Sequence, residues 1–324
     1  MNTTLVKVVL FGLVANSWIA FSQNPAVTHN TWSSGTAMAT AVWGPAVGVL
    51  EGQIYVVGGY NASLNPSIRG DTQIYNPATN SWSAGAPLPT PVFLASAAVV
   101  KNVLYVIGGA TGTAPGAVTD AVWAYNPKTK TWSSKAPIPM ARSQASAVVE
   151  NSIIYVMGGT NGGQTFNDVE SYNPATDTWT QETPIPAADS LPIAYAAGRM
   201  GTRLTGFTIV ITGGGSPGEI WAGTEGYNAF TNTWTALADD PTPRFGQCGG
   251  SPGARLYVAG GYNGTGVLTV NESFSLSKNA WKTLAPMPTA AVLGGSAVYK
   301  GLLYCIGGLD VNRFPLSTVQ IYQP

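Results

Sequence analysis

The pair Gly-Gly recurs six times, at Gly58-Gly59, Gly108-Gly109, Gly158-Gly159, Gly213-Gly214, Gly260-Gly261 and Gly307-Gly308. Most pairs close a short apolar run such as QIYVVGG, VLYVIGG or LLYCIGG, and successive pairs lie 50, 50, 55, 47 and 47 residues apart. A fixed period of this size marks a repeat architecture, in which one supersecondary unit buries its apolar face only against its neighbours. Six such units fill the 324 residues and leave no room for a second folded domain.

Each unit opens with a small-residue and β-branched run, for example LASAAVV before Lys101, then a polar turn and the run ending in Gly-Gly. These are expected to be strands one and two of a meander. Neither alternates cleanly between apolar and polar, which predicts that adjoining units cover both faces. The glycines permit a positive φ or a close backbone approach where strand two ends. A third strand ending in Tyr follows, then a turn and a Trp: YNPATNSW (Tyr75 to Trp82), YNPKTKTW (Tyr125 to Trp132) and YNPATDTW (Tyr172 to Trp179). Proline pre-sets φ in such a turn, Asn and Asp tolerate the left-handed region, and β-branched Thr with Trp favours the outgoing strand. YNAFTNTW (Tyr227 to Trp234) lacks the proline, and FSLSKNAW (Phe274 to Trp281) keeps mainly the spacing. The closing tryptophans, Trp32 included, are expected in the core, with Trp123 packing from strand three.

The sixth unit stops at Tyr322-Gln323-Pro324, the start of that hairpin, and Thr28-His29-Asn30-Thr31-Trp32 matches its missing half. The N-terminal strand is therefore expected to complete the last unit, closing a ring without exposed sheet edges. Period, Gly-Gly after strand two and the Tyr-to-Trp hairpin together resemble the kelch repeat. The resemblance implies an all-β fold: a six-bladed kelch-type β-propeller over residues 23–324, four antiparallel strands per blade. Repeat four departs from the pattern, with Thr208-Ile209-Val210-Ile211-Thr212 before its glycines and a longer insertion around Arg199 and Arg203.

Fifteen basic and fifteen acidic residues give no net charge and no basic run. The electrostatic attraction that dominates nucleic-acid binding is missing, which excludes that partner class. Only 9% of residues are charged, so the surface is polar through Ser, Thr, Asn and Gly, as suits a secreted protein. Residues 1–22 read as a signal peptide: Lys7, an apolar stretch from Val8 to Ala15, and small residues Ala20 and Ser22 near a cleavage point. Asn16-Ser17 interrupts that stretch, which falls short of the roughly 20 apolar residues that span a bilayer. A secreted, periplasmic or extracellular monomer with no membrane span in the mature chain is expected. Cys305 stands where other repeats carry Val, which favours a buried thiol; a Cys248 to Cys305 bridge is the other reading. There is no zinc spacing, and no cofactor is expected.

In a meander, the connections from strand two to three and from blade to blade share one end of the ring. That loop face is the candidate site. Trp43 and Trp221 fall in or beside these connections, with Tyr60, Phe93, Phe245, Tyr262 and Phe314 in comparable places. Charge-poor aromatic platforms suit sugars or apolar peptide side chains; the other reading is that the rings cap the blade ends. Arg142 and Arg244 occupy equivalent positions, where kelch-like propellers often present an arginine to the central opening, so each either binds an anionic group or pairs with acidic residues. Asp71, Asp120, Asp168 and Glu225 precede their hairpin tyrosines and are read as one repeated structural position. Asn61, Asn263 and Asn271 stand in N-x-[ST] sequons.

Two enzyme classes with kelch-type propellers bear on function. Galactose oxidase-like copper enzymes require two histidine ligands, and this chain has only His29. Sialic acid mutarotases, secreted six-bladed kelch proteins, use a Glu and an Arg after strand two of a middle blade; here that stretch holds Glu219 and no arginine, leaving Arg244 of the next blade as the substitute. The expectation is a secreted binding module presenting Trp43, Tyr60, Arg142, Trp221, Arg244 and Tyr262 to a protein or glycan. A carbohydrate-active enzyme of mutarotase type, with Glu219 and Arg244 catalytic, is the alternative.

Overall fold

The computed structural model describes residues 29–186, 193–196, 209–216 and 219–324, with the backbone alone at 193–196 and 216. The expected signal peptide and the insertion around Arg199 and Arg203 lie outside the described residues. Six four-stranded antiparallel sheets form the blades of a propeller. Five are sequential meanders; the first runs Ala46–Leu50, Gln53–Val57, Thr72–Asn76, Ser81–Gly85. First strands of neighbouring blades contact one another around a central axis, and each sheet runs outward from there. The last blade orders Gly295–Tyr299, Leu302–Ile306 and Val319–Gln323, and its fourth strand is Thr31–Gly35 from the other end of the chain. Trp32 pairs there with Tyr322, in the register the split hairpin predicts. No helix among the described residues is long and apolar enough to cross a membrane.

Alternate residues of strand two serve different neighbours. Ile54 and Val56 pack with Ala297, Tyr304 and Ile306 of the last blade, whereas Tyr55 and Val57 pack with Leu104 and Val106 of the second. Because both faces are interfaces, a polar alternation would bury polar groups, and none is written into the strand.

The glycine pair is where the chain of the next blade crosses. Gly59 donates its N–H to Val92 O at 2.9 Å, and Gly109, Gly214, Gly261 and Gly308 make the same bond to Arg142, Arg244, Ala291 and Val42. At Gly108 φ is +64°, and a Cβ there would sit 2.4 Å from Arg142 O. Gly108→Ala is therefore expected to cost about 3 kcal/mol, from left-handed strain plus a backbone overlap. Gly116→Ala, at φ +79° with nothing within 4 Å, isolates the strain alone, about 1 kcal/mol. Urea unfolding of the two variants measures the difference; equal losses would mean the crossing chain yields freely.

The hairpin motif proves to be a latch between blades. Trp82, Trp132, Trp179, Trp234, Trp281 and Trp32 each donate the indole N–H to a carbonyl of the preceding blade, those of Thr36, Ala86, Ala136, Thr183, Ala238 and Ala285, at 2.7–3.0 Å. These rings are half-buried at the rim, not core as expected, because the indole nitrogen must reach an exposed strand end. The residue two before each Trp is left-handed, and where it is Asn or Asp its side-chain oxygen adds a second latch. Asn80 Oδ1, for example, accepts from Tyr75 Oη at 2.7 Å and from Thr36 N at 2.6 Å.

Cys248 and Cys305 are joined by a disulfide, with 5.7 Å between their Cα atoms, which corrects the expectation of a free buried thiol. The register explains the pairing. Cys248 takes the place of Ala46, which faces the following blade, and Cys305 that of Val106, which packs against it from that blade. The bridge therefore staples blade five to blade six.

Candidate functional site

Beyond the strands, every fully described blade makes one more pairing on the loop face, between the residue after Gly-Gly and the third residue before strand one. The pairs are Trp43 with Tyr60, Phe93 with Ala110, Ser143 with Thr160, Phe245 with Tyr262 and Val292 with Leu309. Apolar and aromatic members follow one another from blade five through six and one to two, while blade three presents hydroxyls. Trp43, Tyr60 and Phe93 form a closed trio with ring centroids 5.1–5.4 Å apart, spanning blades one and two. Phe93 is buried beneath the half-exposed Trp43 and Tyr60. Phe245 and Tyr262 form a pair at 5.5 Å on blade five.

At the axis a cavity of about 190 Å³ opens on this face, lined by small residues and by Gln144 and Gln247. Its rim is a chain of main-chain bonds: Gln144 N to Leu94 O, Leu94 N to Gly44 O, Gly44 N to Leu293 O and Leu293 N to Gly246 O, all 2.6–2.8 Å. All five residues have φ of 55–64°. Leu94, Gln144 and Leu293 hold a backbone that favours glycine, so ring closure there outweighs local strain.

The structure removes Arg142 and Arg244 from the ligand-contacting set. Arg244 has no exposed surface, and all five of its N–H groups have acceptors. Nε bonds Asp240 Oδ2 and Thr242 O, Nη1 bonds Gly260 O and Val270 O, and Nη2 bonds Asp240 Oδ1 and Glu272 Oε2. Arg142 is 1% exposed, bonded to Glu170 Oε1 at 2.8 Å and to the carbonyls of Met140 and Gly158, with Phe166 over its guanidinium. Burial pulls both guanidiniums down and pushes Asp240 and Glu170 up, and the ion pairs offset part of each shift. An arginine so enclosed organises the blade edge and offers a ligand nothing. Of the mutarotase-type pair, Glu219 is exposed on the short hairpin Gly215–Ser216/Glu219–Ile220, whereas Arg244 is buried with every N–H group bonded.

The glutamates belong to one position of strand three, occupied around the ring by Gln73, Trp123, Glu170, Glu225, Glu272 and Gln320. Gln73 and Gln320 clamp the N–H and C=O of Thr40 and Thr289 in the approach to strand one. The arginines of blades three and five neutralise Glu170 and Glu272 instead. This register corrects the reading of Asp71, Asp120, Asp168 and Glu225 as equivalent. Asp71 and Asp168 align, Asp120 lies one residue earlier, and Glu225 lies two later, inside the strand.

Glu225 is buried, its Oε2 has no hydrogen-bond partner among the described residues, and burial pushes its carboxyl up to about 7. The folded protein thus holds a proton there that the unfolded chain releases near 4.5. This contribution is fully present below that pH and is lost as pH rises through about 7. Glu225→Gln is expected to gain roughly 2–3 kcal/mol at pH 8 and to flatten the decline between pH 5 and 8. Denaturant melts across that range measure both; parallel profiles would mean the carboxyl is solvated.

Trp221 is half-buried and its ring occupies the side-chain space of Gly223, where a Cβ would fall 2.1 Å from the ring. Ile220 beside it approaches Gly264 of the blade-five loop that carries Tyr262. Among the sequons, Asn271 is wholly buried and donates to Ala285 O, and Asn61 is buried and donates to Ala41 O; Asn263 alone is half-exposed. Aligning the repeats on Gly-Gly and listing the residue that follows each pair would have drawn the apolar arc from sequence. The depth of Phe93 and the enclosure of the arginines would not have emerged.

Comparison with known proteins fits this geometry. A family model described as the KLHDC2/KLHL20/DRC7 Kelch-repeats domain matches residues 39–248, and a kelch motif model matches 243–288. Human Kelch-like protein 23 is 27% identical over 101 residues, 31% of this chain and 17% of that protein. Kelch-like protein terF of Aspergillus terreus is 30% identical over 138 residues, 40% of this chain and 30% of that protein. These matches thus span less than a third of each relative's length. The solved structure of YjhT superposes with a TM-score of 0.72 over 89% of this chain and 96% of that one, at 19% identity, a likeness of fold.

Proposed function

Since the chain belongs to the kelch-repeat family, whose propellers generally bind proteins, we propose that it is a secreted binding module engaging a protein or glycan through its loop face. The observation that carries this reading is the apolar arc from Phe245 and Tyr262 through Val292 and Leu309 to Trp43, Tyr60 and Phe93, on a face where blade three offers the hydroxyls of Ser143 and Thr160. Half-exposed Trp and Tyr rings over a rigid scaffold give large contact area at little entropic cost. Export is supported by the composition of residues 1–22 and by the Cys248–Cys305 bridge, since disulfides persist in oxidising compartments.

The test has two arms. The chain from Gln23 is screened on neutral and acidic glycans and used for affinity capture from the extracellular fraction, beside Trp43→Ala, Tyr262→Ala and Trp221→Ala. Loss of a partner on at least one substitution, about tenfold or more for a central aromatic, supports the loop face. Partner binding untouched by all three would move the site elsewhere.

A further inference from the structure

We propose that a cavity between blades five and six binds small carboxylates with an apolar body, the body inside and the anion on Arg313. The inference rests on the loop face being the binding surface. The cavity holds about 370 Å³, within the range of small-molecule clefts, and its walls are mainly Phe245, Tyr262, Val267, Val292 and Leu309, with Arg313 the one charged residue among the described lining.

The pseudo-symmetry of the ring explains the opening. At the junction of blades one and two, the ring of Phe93 fills the corresponding space and closes against Trp43 and Tyr60. Val292 stands in the place of Phe93: both are the third residue before strand one, and both pair with the residue after their blade's Gly-Gly. Phe245 and Tyr262 repeat Trp43 and Tyr60. The missing aromatic ring leaves a void bounded by the same kinds of wall, so the site is the trio with one member withdrawn.

Arg313 supplies the polar end. It is exposed, and among the described residues no carboxylate lies within 4 Å of its guanidinium. The nearby Asp310 directs Oδ1 to the backbone N–H groups of Asn312 and Phe314. Thr265, also on the wall, donates its hydroxyl to Asn263. An apolar chamber with one uncommitted, bidentate-capable cation selects an apolar monoanion over a sugar, which would need several donors and acceptors.

The experiment is calorimetric titration of the folded chain from Gln23 with 3-phenylpropionate, its neutral amide, acetate and an acetylated Phe-Glu amide peptide. The expected result is 3-phenylpropionate binding with a Kd on the order of 0.1 mM, the amide and acetate at least about tenfold weaker. Val292→Phe refills the void with a residue this ring already uses at that position. It should weaken 3-phenylpropionate tenfold or more at unchanged Tm. Arg313→Gln should weaken the acid about tenfold and leave the amide as it was. No binding at 10-fold higher concentration, equal affinity for acid and amide, or indifference to Val292→Phe overturns the proposal. Preference for the peptide overturns it too, assigning the chamber to a protein segment. Neither Trp43 nor Trp221 lines this chamber, so the effect of Trp43→Ala and Trp221→Ala on the partner judges the loop-face reading separately.

Discussion

Deletion of residues 23–35 is expected to cost more than about 5 kcal/mol and to yield a self-associating product. The lost strand Thr31–Gly35 pairs along its whole length with Val319–Gln323. Trp32 packs on Tyr322 at 5.0 Å and donates to Ala285 O at 2.9 Å. Asn30 Oδ1 accepts from Tyr322 Oη and from Ala285 N, both at 2.8 Å. A half-buried Trp contributes about 3 kcal/mol, and the latch bonds about 1 kcal/mol each. The shortened chain presents the edge of Val319–Gln323 with its hydrogen bonds unmade, a template for pairing with another copy. Thermal unfolding and light scattering measure both consequences, and a synthetic peptide of residues 23–35 should restore monomer and Tm. Unchanged stability would mean that the terminal strand is dispensable to the ring.

Arg244→Met should lose about 3–5 kcal/mol at pH 7, because Asp240 and Glu272 remain buried with no countercharge. Burial already holds the Asp240 carboxyl above its usual range, with Arg244 drawing it down; removing the cation raises it further. A raised carboxyl stabilises the fold at low pH and loses that contribution as pH rises, so the deficit should shrink toward pH 4 and widen toward pH 8. Joint replacement of Arg244, Asp240 and Glu272 by apolar residues of similar volume should recover most of the loss, since the intact cluster carries its own desolvation cost. Urea titrations at pH 5 and 7 decide it. A loss below about 1 kcal/mol with no pH dependence would mean solvent reaches the cluster.

Chain order and local spacing determined much of this protein without tertiary information. The Gly-Gly period set the number of blades, the Tyr-to-Trp spacing set the outer hairpins, and the split hairpin at Asn30–Trp32 and Tyr322 set the closure. Each is a short-range pattern that a meander repeats, so it is written in consecutive residues. The tertiary structure decided what depends on two blades meeting. It sealed Arg142 and Arg244 behind carboxylates, where spacing alone allowed either ligand contact or pairing with acidic residues. It brought Cys248 onto Cys305 across an interface that elsewhere joins Ala46 and Val106. It drew the six tryptophans to the rim, where each serves the preceding blade's carbonyl. It also made one aromatic trio closed and its counterpart, with Val292 for Phe93, an open chamber. Burial and pairing between repeats depend on the rotation from blade to blade and on the volume left between side chains about fifty residues apart, and no local pattern encodes either.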